Sequence, residues 1–225
     1  MEKELEPIEC YKKAMKISDK VIEYARTLIK EGSKVLEIAN EIEKKIIKEG
    51  GKIAFPVNIS INEVAAHYTP DINDPLTLKQ GDIVKVDIGV HIEGYICDRA
   101  FSVCVGEKGH ELIRAAEEAL KEALKLTKPG TKVFEISKVV EEVVASFGFN
   151  PVRNLSGHGL ERYIQHADPI IPNGNNNIQT ELKEGQVIAM EVFTTNGLGW
   201  VKDSFPILIY GLQAERPVRL SLIHI

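Results

Sequence analysis

Two aspartates stand where aspartate is out of place. Asp87 sits inside Ile83-Val-Lys-Val-Asp-Ile-Gly-Val90, and Asp98 follows eleven residues later inside Tyr95–Val105, both runs rich in β-branched residues. Aspartate is a poor strand former, so an acid in each of two adjoining strands needs a chemical reason. The loop between them, Ile92-Glu93-Gly94, leaves two registers open. A turn centred on Ile92-Glu93 sets Asp87 opposite Asp98; one centred on Glu93-Gly94 makes them diagonal neighbours. In both, the carboxylates share a face. Two carboxylates held off water repel one another and need either a cation between them or a shared proton. A metal is the simpler solution, with solvated edge acids or a proton-sharing dyad as the alternatives.

An internal repeat brings a third acid to the same place. Leu28-Ile-Lys-Glu-Gly-Ser-Lys-Val-Leu-Glu-Ile38 matches Leu126-Thr-Lys-Pro-Gly-Thr-Lys-Val-Phe-Glu-Ile136, and Leu78-Lys-Gln-Gly-Asp-Ile-Val-Lys-Val-Asp87 matches Leu182-Lys-Glu-Gly-Gln-Val-Ile-Ala-Met-Glu191. The offsets are 98 and 104 residues, so order and spacing are both kept. Two similar halves around a pseudo-twofold axis follow, with a site at their seam. Glu191 occupies in the second half the slot of Asp87 in the first. His158, between glycines in Asn154-Leu-Ser-Gly-His-Gly159, is the best nitrogen ligand, because its neighbours let the backbone crowd close. Asp, Asp, His and Glu form a hard, oxygen-rich set that suits cobalt, manganese, iron or zinc and can hold two divalent ions about 3.5–4 Å apart. Such ions acidify a water and polarise a carbonyl, which is amide or ester hydrolysis rather than redox chemistry.

The elements that must position these residues are legible in part. A helix is predicted from about Cys10 to Lys30. Ser33 is the expected N-cap of a second helix in which Val35, Ile38, Ala39, Ile42 and Ile46 form one apolar face, ending at Gly50-Gly51. Helices near Glu111–Leu126 and Val133–Phe147 repeat the pair, and strands are predicted at Asp82–His91 and Tyr95–Val105. The fold class is α+β, two halves of paired helices and antiparallel strands. A formal charge of −5 argues against a general nucleic-acid binder, since phosphate neutralisation needs a basic face. No apolar run reaches the length that spans a bilayer and no signal peptide opens the chain, so a cytoplasmic protein is expected. Cys10, Cys97 and Cys104 lack metal or disulfide spacing and read as reduced core residues.

The motifs then carry a resemblance. Ala54-Phe-Pro-Val-Asn-Ile-Ser-Ile-Asn-Glu63, Ala65-Ala-His-Tyr-Thr-Pro70, the Asp87 to Asp98 hairpin, Asn154 to Ala167 and Ala189-Met-Glu191 resemble the type 2 methionine aminopeptidases, the archaeal and eukaryotic kind of pita-bread metallopeptidase. The likeness runs from about residue 10 to residue 200. It implies the pita-bread fold, Asp87, Asp98, His158 and Glu191 as ligands of a dinuclear site with Asp98 bridging, and removal of the initiator methionine from nascent chains. It implies His67 directed at the scissile amide, His166 bonding the peptide and steadying the tetrahedral intermediate, and Phe55 as a wall of the methionine pocket. A monomer acting on peptide N-termini, without nucleic acid or membrane, is expected. His91, His110 and His224 match no functional position and read as solvated or loop residues.

Two departures from the family pattern stand out. Gln165 replaces the aliphatic residue usual just before the second histidine, which bears on substrate binding. A fifth ligand, a bridging glutamate on a last strand, has no counterpart here. The chain is therefore read as a catalytic domain over 1–200 lacking its last strand, with 201–225 as the truncated start of a helical insertion. Asp203 and Glu215 are minor candidates to replace the missing acid. A proline-directed dipeptidase and a non-catalytic binding protein of the same fold are the competing readings.

Overall fold

The computed structural model describes residues 5–204 and 206–210. Two helices open each half, and the reason is the apolar stripe read from sequence. Helices α1 (Pro7–Leu28) and α2 (Val35–Lys48) bury Ile17, Val21, Val35, Ile38, Ile42 and Ile46 in one cluster with Val84, Val86, Ile88 and Val90 of the adjoining sheet. That sheet is antiparallel, in the order β1 (Lys52–Ile61), β2 (Ile83–Ile92), β3 (Tyr95–Cys104). Alternation along β2 settles which face does what: its even-numbered valines and isoleucine point at the helices, while Lys85, Asp87 and Gly89 point the other way.

The second half begins with α3 (Glu111–Leu126) and α4 (Val133–Ser146), packed closely through Ala119 and Ala123 against Val133, Ile136, Val140 and Val144. Its strands are β4 (Asn150–Pro151), β5 (Ser156–Glu161), β6 (Ile164–Pro172), β7 (Val187–Ala189) and β8 (Thr194–Thr195). They form a pair, β4 with β8, and a sheet ordered β6-β5-β7. β5 pairs with β7 as β1 pairs with β2. Among the described residues no strand plays the part of β3 beside β7.

The repeat is a structural one, because its two matched stretches bond to each other in both halves. The Gly32 amide donates to the Leu78 carbonyl at 2.8 Å, and the Gly130 amide to the Leu182 carbonyl at 2.8 Å. Val35 donates to Leu76 and Val133 to Thr180, each at 2.9 Å. These bonds correct the expected N-cap. The cap of α2 is Lys34, not Ser33, and α4 starts equivalently from Lys132. A passing loop's carbonyl satisfies the first helical amide, so the capping side chain is not needed for it. With Lys34 as cap, Glu37 falls at the third helical position, matching Glu135, whose carboxylate accepts from the Lys132 amide at 2.8 Å.

Interlocked turns hold the halves together. The β2–β3 hairpin turns at Glu93-Gly94, both with positive φ, as a two-residue loop of primed type requires. The Gly94 carbonyl accepts from the Tyr163 amide at 2.8 Å and the Glu93 carbonyl from the Arg162 Nε at 2.9 Å. The guanidinium of Arg162 lies 5.4 Å from the Tyr95 ring and 5.7 Å from the Tyr163 ring. Ile96, Leu160 and Ala189 add a small apolar patch between the sheets.

Gly89 is where backbone and ring meet most tightly. A methyl group there would come within 2.4 Å of the Phe55 ring, and the residue is paired with Phe55 on one side and Asp98 on the other. Gly89→Ala is expected to lower stability by about 1–3 kcal/mol in urea unfolding, with Phe55→Leu in the same chain recovering part of the loss. A Gly89→Ala protein as stable as the parent would show that the ring can yield.

Candidate metal centre

Glycines decide how the central histidine is placed. At Gly157 a Cβ would lie 2.5 Å from the Ala189 carbonyl oxygen of β7, and at Gly159 a Cβ would lie 2.1 Å from the Asp168 carbonyl oxygen of β6. Only residues without side chains let β5 run between its two neighbours there, and His158 is thereby fixed between them. His158 faces Ala189 across the β5–β7 pair, which brings it beside Glu191. Its Nδ1 lies 3.0 Å from the Gly159 carbonyl, a bond that places the proton on Nδ1 and leaves the Nε2 lone pair facing the seam.

Nε2 meets two acids. Glu191 Oε1 is 3.3 Å away and Asp98 Oδ2 is 3.7 Å away. One ligand atom from each of Asp98, His158 and Glu191 lies within 4.8 Å of the others, a spacing open to one shared cation. Asp87 borders this group. The hairpin adopts the diagonal register, with Asp87 opposite Ala100 and Asp98 opposite Gly89, so both acids leave the face turned to the second half. Asp87 Oδ1 is buried and has no hydrogen-bond partner. A buried, unpartnered carboxylate oxygen beside two further acids is the signature of a site built for cations.

The electrostatics agree. Burial, with Asp98 and Glu191 close by, pushes the Asp87 carboxyl well above its ordinary range. Burial and Glu191 push Asp98 up to about 7. Burial alone would depress His158, but its contacts with Glu191, the Gly159 carbonyl and Asp98 raise it overall. Burial is the larger cause for the two aspartates, and the negative charge gathered around the site adds to it and raises His158 as well.

The remaining predicted residues fall around this group. The His166 ring stands edge-on to His158 with centroids 4.6 Å apart, and burial followed by the neighbouring His158 lowers its pKa. His67 occupies the loop after β1 with φ of 64°, a left-handed backbone uncommon outside glycine. Its side chain is exposed, within electrostatic reach of His166. Phe55 is buried against Gly89 in the row that holds Asp98. Gln165 turns its amide toward the Asp98 carboxylate and favours its anion, so it attends an acid of the site. Asp203 is exposed and outside the cluster; Glu215 and the rest of 211–225 lie outside the described residues. Two histidines set aside as solvated or loop residues do structural work. His91 lies on β2, its Nδ1 accepting from the Gly94 amide at 3.0 Å, and His110 caps α3 by accepting from the Leu112 amide at 3.2 Å. His224 lies outside the described residues.

Two residues near the acids escaped sequence reasoning. Asn173 is fully buried, donates to the Glu191 carbonyl at 2.8 Å and accepts from the Phe193 amide at its oxygen, steadying the Glu191 segment from both sides. Lys85 sits two residues before Asp87 on the same face, its Nζ 4.1 Å from the centroid of the Phe193 ring. Asn173 gives no sequence signal within Pro172-Asn-Gly-Asn-Asn176; Lys85 gives one, as a charge in an apolar strand.

A seam between duplicated halves gathers three acids and an imidazole, with a second imidazole beside them, in a spacing open to a metal ion. The family model for metallopeptidase family M24 matches residues 9–219, and the chain belongs to that family. Among curated relatives, the methionine aminopeptidase of Thermococcus onnurineus is 49% identical over 210 residues, 93% of this chain and 71% of that protein. A crystal structure of methionine aminopeptidase from Thermotoga maritima superposes with a TM-score of 0.82 at 30% identity, covering 90% of this chain and 85% of that one. Prolidase from Pyrococcus furiosus gives 0.73 at 30% identity, covering 84% and 56%. The fold is thus the pita-bread fold, α+β as expected.

A pH dependence follows for the metal-free protein. The carboxyl of Asp98 titrates near ~4 when unfolded and at about 7 when folded. Between those values the folded state holds more protons, so unfolding free energy falls as pH rises. Asp87 and His158, also raised, act with the same sign. The melting temperature is expected to fall from about pH 4.5 to about 7.5, and Asp98→Asn to flatten the decline. Parallel profiles for parent and variant would contradict it.

Proposed function

We propose that this chain is a metal-dependent methionine aminopeptidase that hydrolyses the first peptide bond of new polypeptides. Its membership of a metallopeptidase family and its identity to curated methionine aminopeptidases support the reading. The observation that carries it is the convergence of Asp98, His158 and Glu191 within one ion's reach, bordered by a buried Asp87 oxygen that nothing else satisfies. These four residues would hold two divalent ions, cobalt, manganese, iron or zinc. When bound, such ions acidify a water and polarise the amide carbonyl.

The chain's own residues supply the rest. His166, its pKa lowered by burial, is a neutral hydrogen-bond donor beside the site, placed to bond the peptide and to stabilise negative charge developing on the carbonyl oxygen. His67 approaches from the opposite loop and orients the scissile amide. The Phe55 ring offers an apolar wall for an unbranched thioether side chain. Gln165 and the Nδ1 bond of His158 hold the ligands in orientation. Among the described residues no helix is long and apolar enough to cross a membrane. The enzyme would work as a monomer in the cytoplasm, on peptide N-termini and without nucleic acid.

Methionine release from Met-Gly-Ser peptide, with cobalt or manganese added, tests this. Activity is expected, with loss on chelation and in Asp98→Asn, and His166→Ala is expected to reduce kcat by about 10²–10³-fold. Cleavage of Xaa-Pro dipeptides in preference to Met-Gly-Ser would favour a prolidase. A folded protein that binds the metal and cleaves neither, also when extended by the C-terminal segment of a relative, would favour a binding protein.

A further inference from the structure

Lys85 is the one cation of its strand's seam face, and neither fold nor ion pairing accounts for it. It lies in register with Ser60 on β1 and Ser102 on β3, one step along the same face from Asp87. The contacts that Asp98 and Glu191 make at ion-pair distance are with His158, not with Lys85. Its ammonium is held instead over the face of Phe193, 4.1 Å from the ring centroid, and that ring sits two residues beyond Glu191. The internal repeat supplies a control: the position equivalent to Lys85 in the second half is Ala189, buried and with no charge. The architecture therefore does not demand an ammonium at this step of the strand. Burial acts on it most and lowers its pKa to about 8, while Asp87 and Glu191, the charged groups that face it, act against that shift.

We infer that Lys85 is a positioning charge for the metal centre: an ammonium parked on Phe193 that offsets the converging carboxylates when no metal is bound and weakens the site's hold on its ions. The inference rests on the metal-binding reading above. Its physics is Coulomb's law with fixed geometry. A positive charge one step along the strand lowers the energy of Asp87 and Glu191 as anions and raises that of any divalent ion they hold. The two effects have opposite signs, which separates this role from a merely structural one. A lysine needed for packing would, when lost, reduce stability and metal affinity together.

The test uses the full chain, with Mn²⁺ as the probe, read by isothermal titration calorimetry and by melting of the metal-free protein. Lys85→Met is expected to tighten Mn²⁺ binding about tenfold or more, with the melting temperature of the metal-free protein no lower than the parent's, because burial already disfavours the ammonium. Lys85→Arg, which keeps the charge, is expected to stay near the parent in both. Lys85→Gln serves as a second neutral variant should the methionine protein fail to fold. Neutral variants that fold but bind Mn²⁺ no more tightly than the parent, or more weakly, overturn the inference and leave the metal reading standing. A parent chain that binds no Mn²⁺, matching Asp98→Asn, overturns both.

Discussion

Repulsion among carboxylates is the constraint around which this molecule is organised. Asp87, Asp98 and Glu191 come from two different sheets to one buried place, where each raises the energy of the others as anions. A protein gains nothing in stability from such an arrangement. It persists because the two sheets are fastened together elsewhere, by the paired turns at Gly94 and Tyr163, the Arg162 guanidinium between two tyrosine rings, and the apolar patch around Leu160. The cost is lessened by protons, which the raised pKa values of Asp87 and Asp98 let the folded protein hold.

The duplicated plan explains why the site lies where it does. Each half presents one well-buried apolar face to its helices and the opposite face to its twin, so any polar residue on the latter is driven to the seam. The second half then departs from the first in ways that serve the site. Ala189 stands where the first half has Lys85, and Gly157 and Gly159 admit strands on both sides of His158. Symmetry makes the cavity, and asymmetry makes its chemistry. Membership of metallopeptidase family M24 fits this reading, since a centre of acids and imidazoles inside a pseudo-symmetric fold is suited to hydrolysis of an amide held at one end.

Much of this was readable from residues alone, and for identifiable reasons. The amphipathic stripe of α2 and the β-branched runs of β2 and β3 are dictated by local periodicity. The repeat alone makes Glu191 the counterpart of Asp87. The resemblance supplied His67 and His166, which have no local signature. Other features were not legible. The register of the hairpin depended on whether Glu93 accepts a left-handed backbone, and sequence admitted two answers. The helix cap at Lys34 depends on the Leu76 carbonyl, forty-odd residues further along the chain, which bonds the next amide. Such a partner is invisible in a local window.

Sequence by itself determined which residue types are available and on which face of which element they lie, because the period of a strand or helix fixes facing at once. It determined the duplication, pointed to the family and offered the candidate donors. Tertiary structure alone decided that Asp98, His158 and Glu191 meet within one ion's reach, that an oxygen of Asp87 is left without a partner, and that Gln165 attends an acid. Those are relations between elements far apart in the chain. They are set by how two sheets dock, and docking depends on packing at the seam rather than on any local preference.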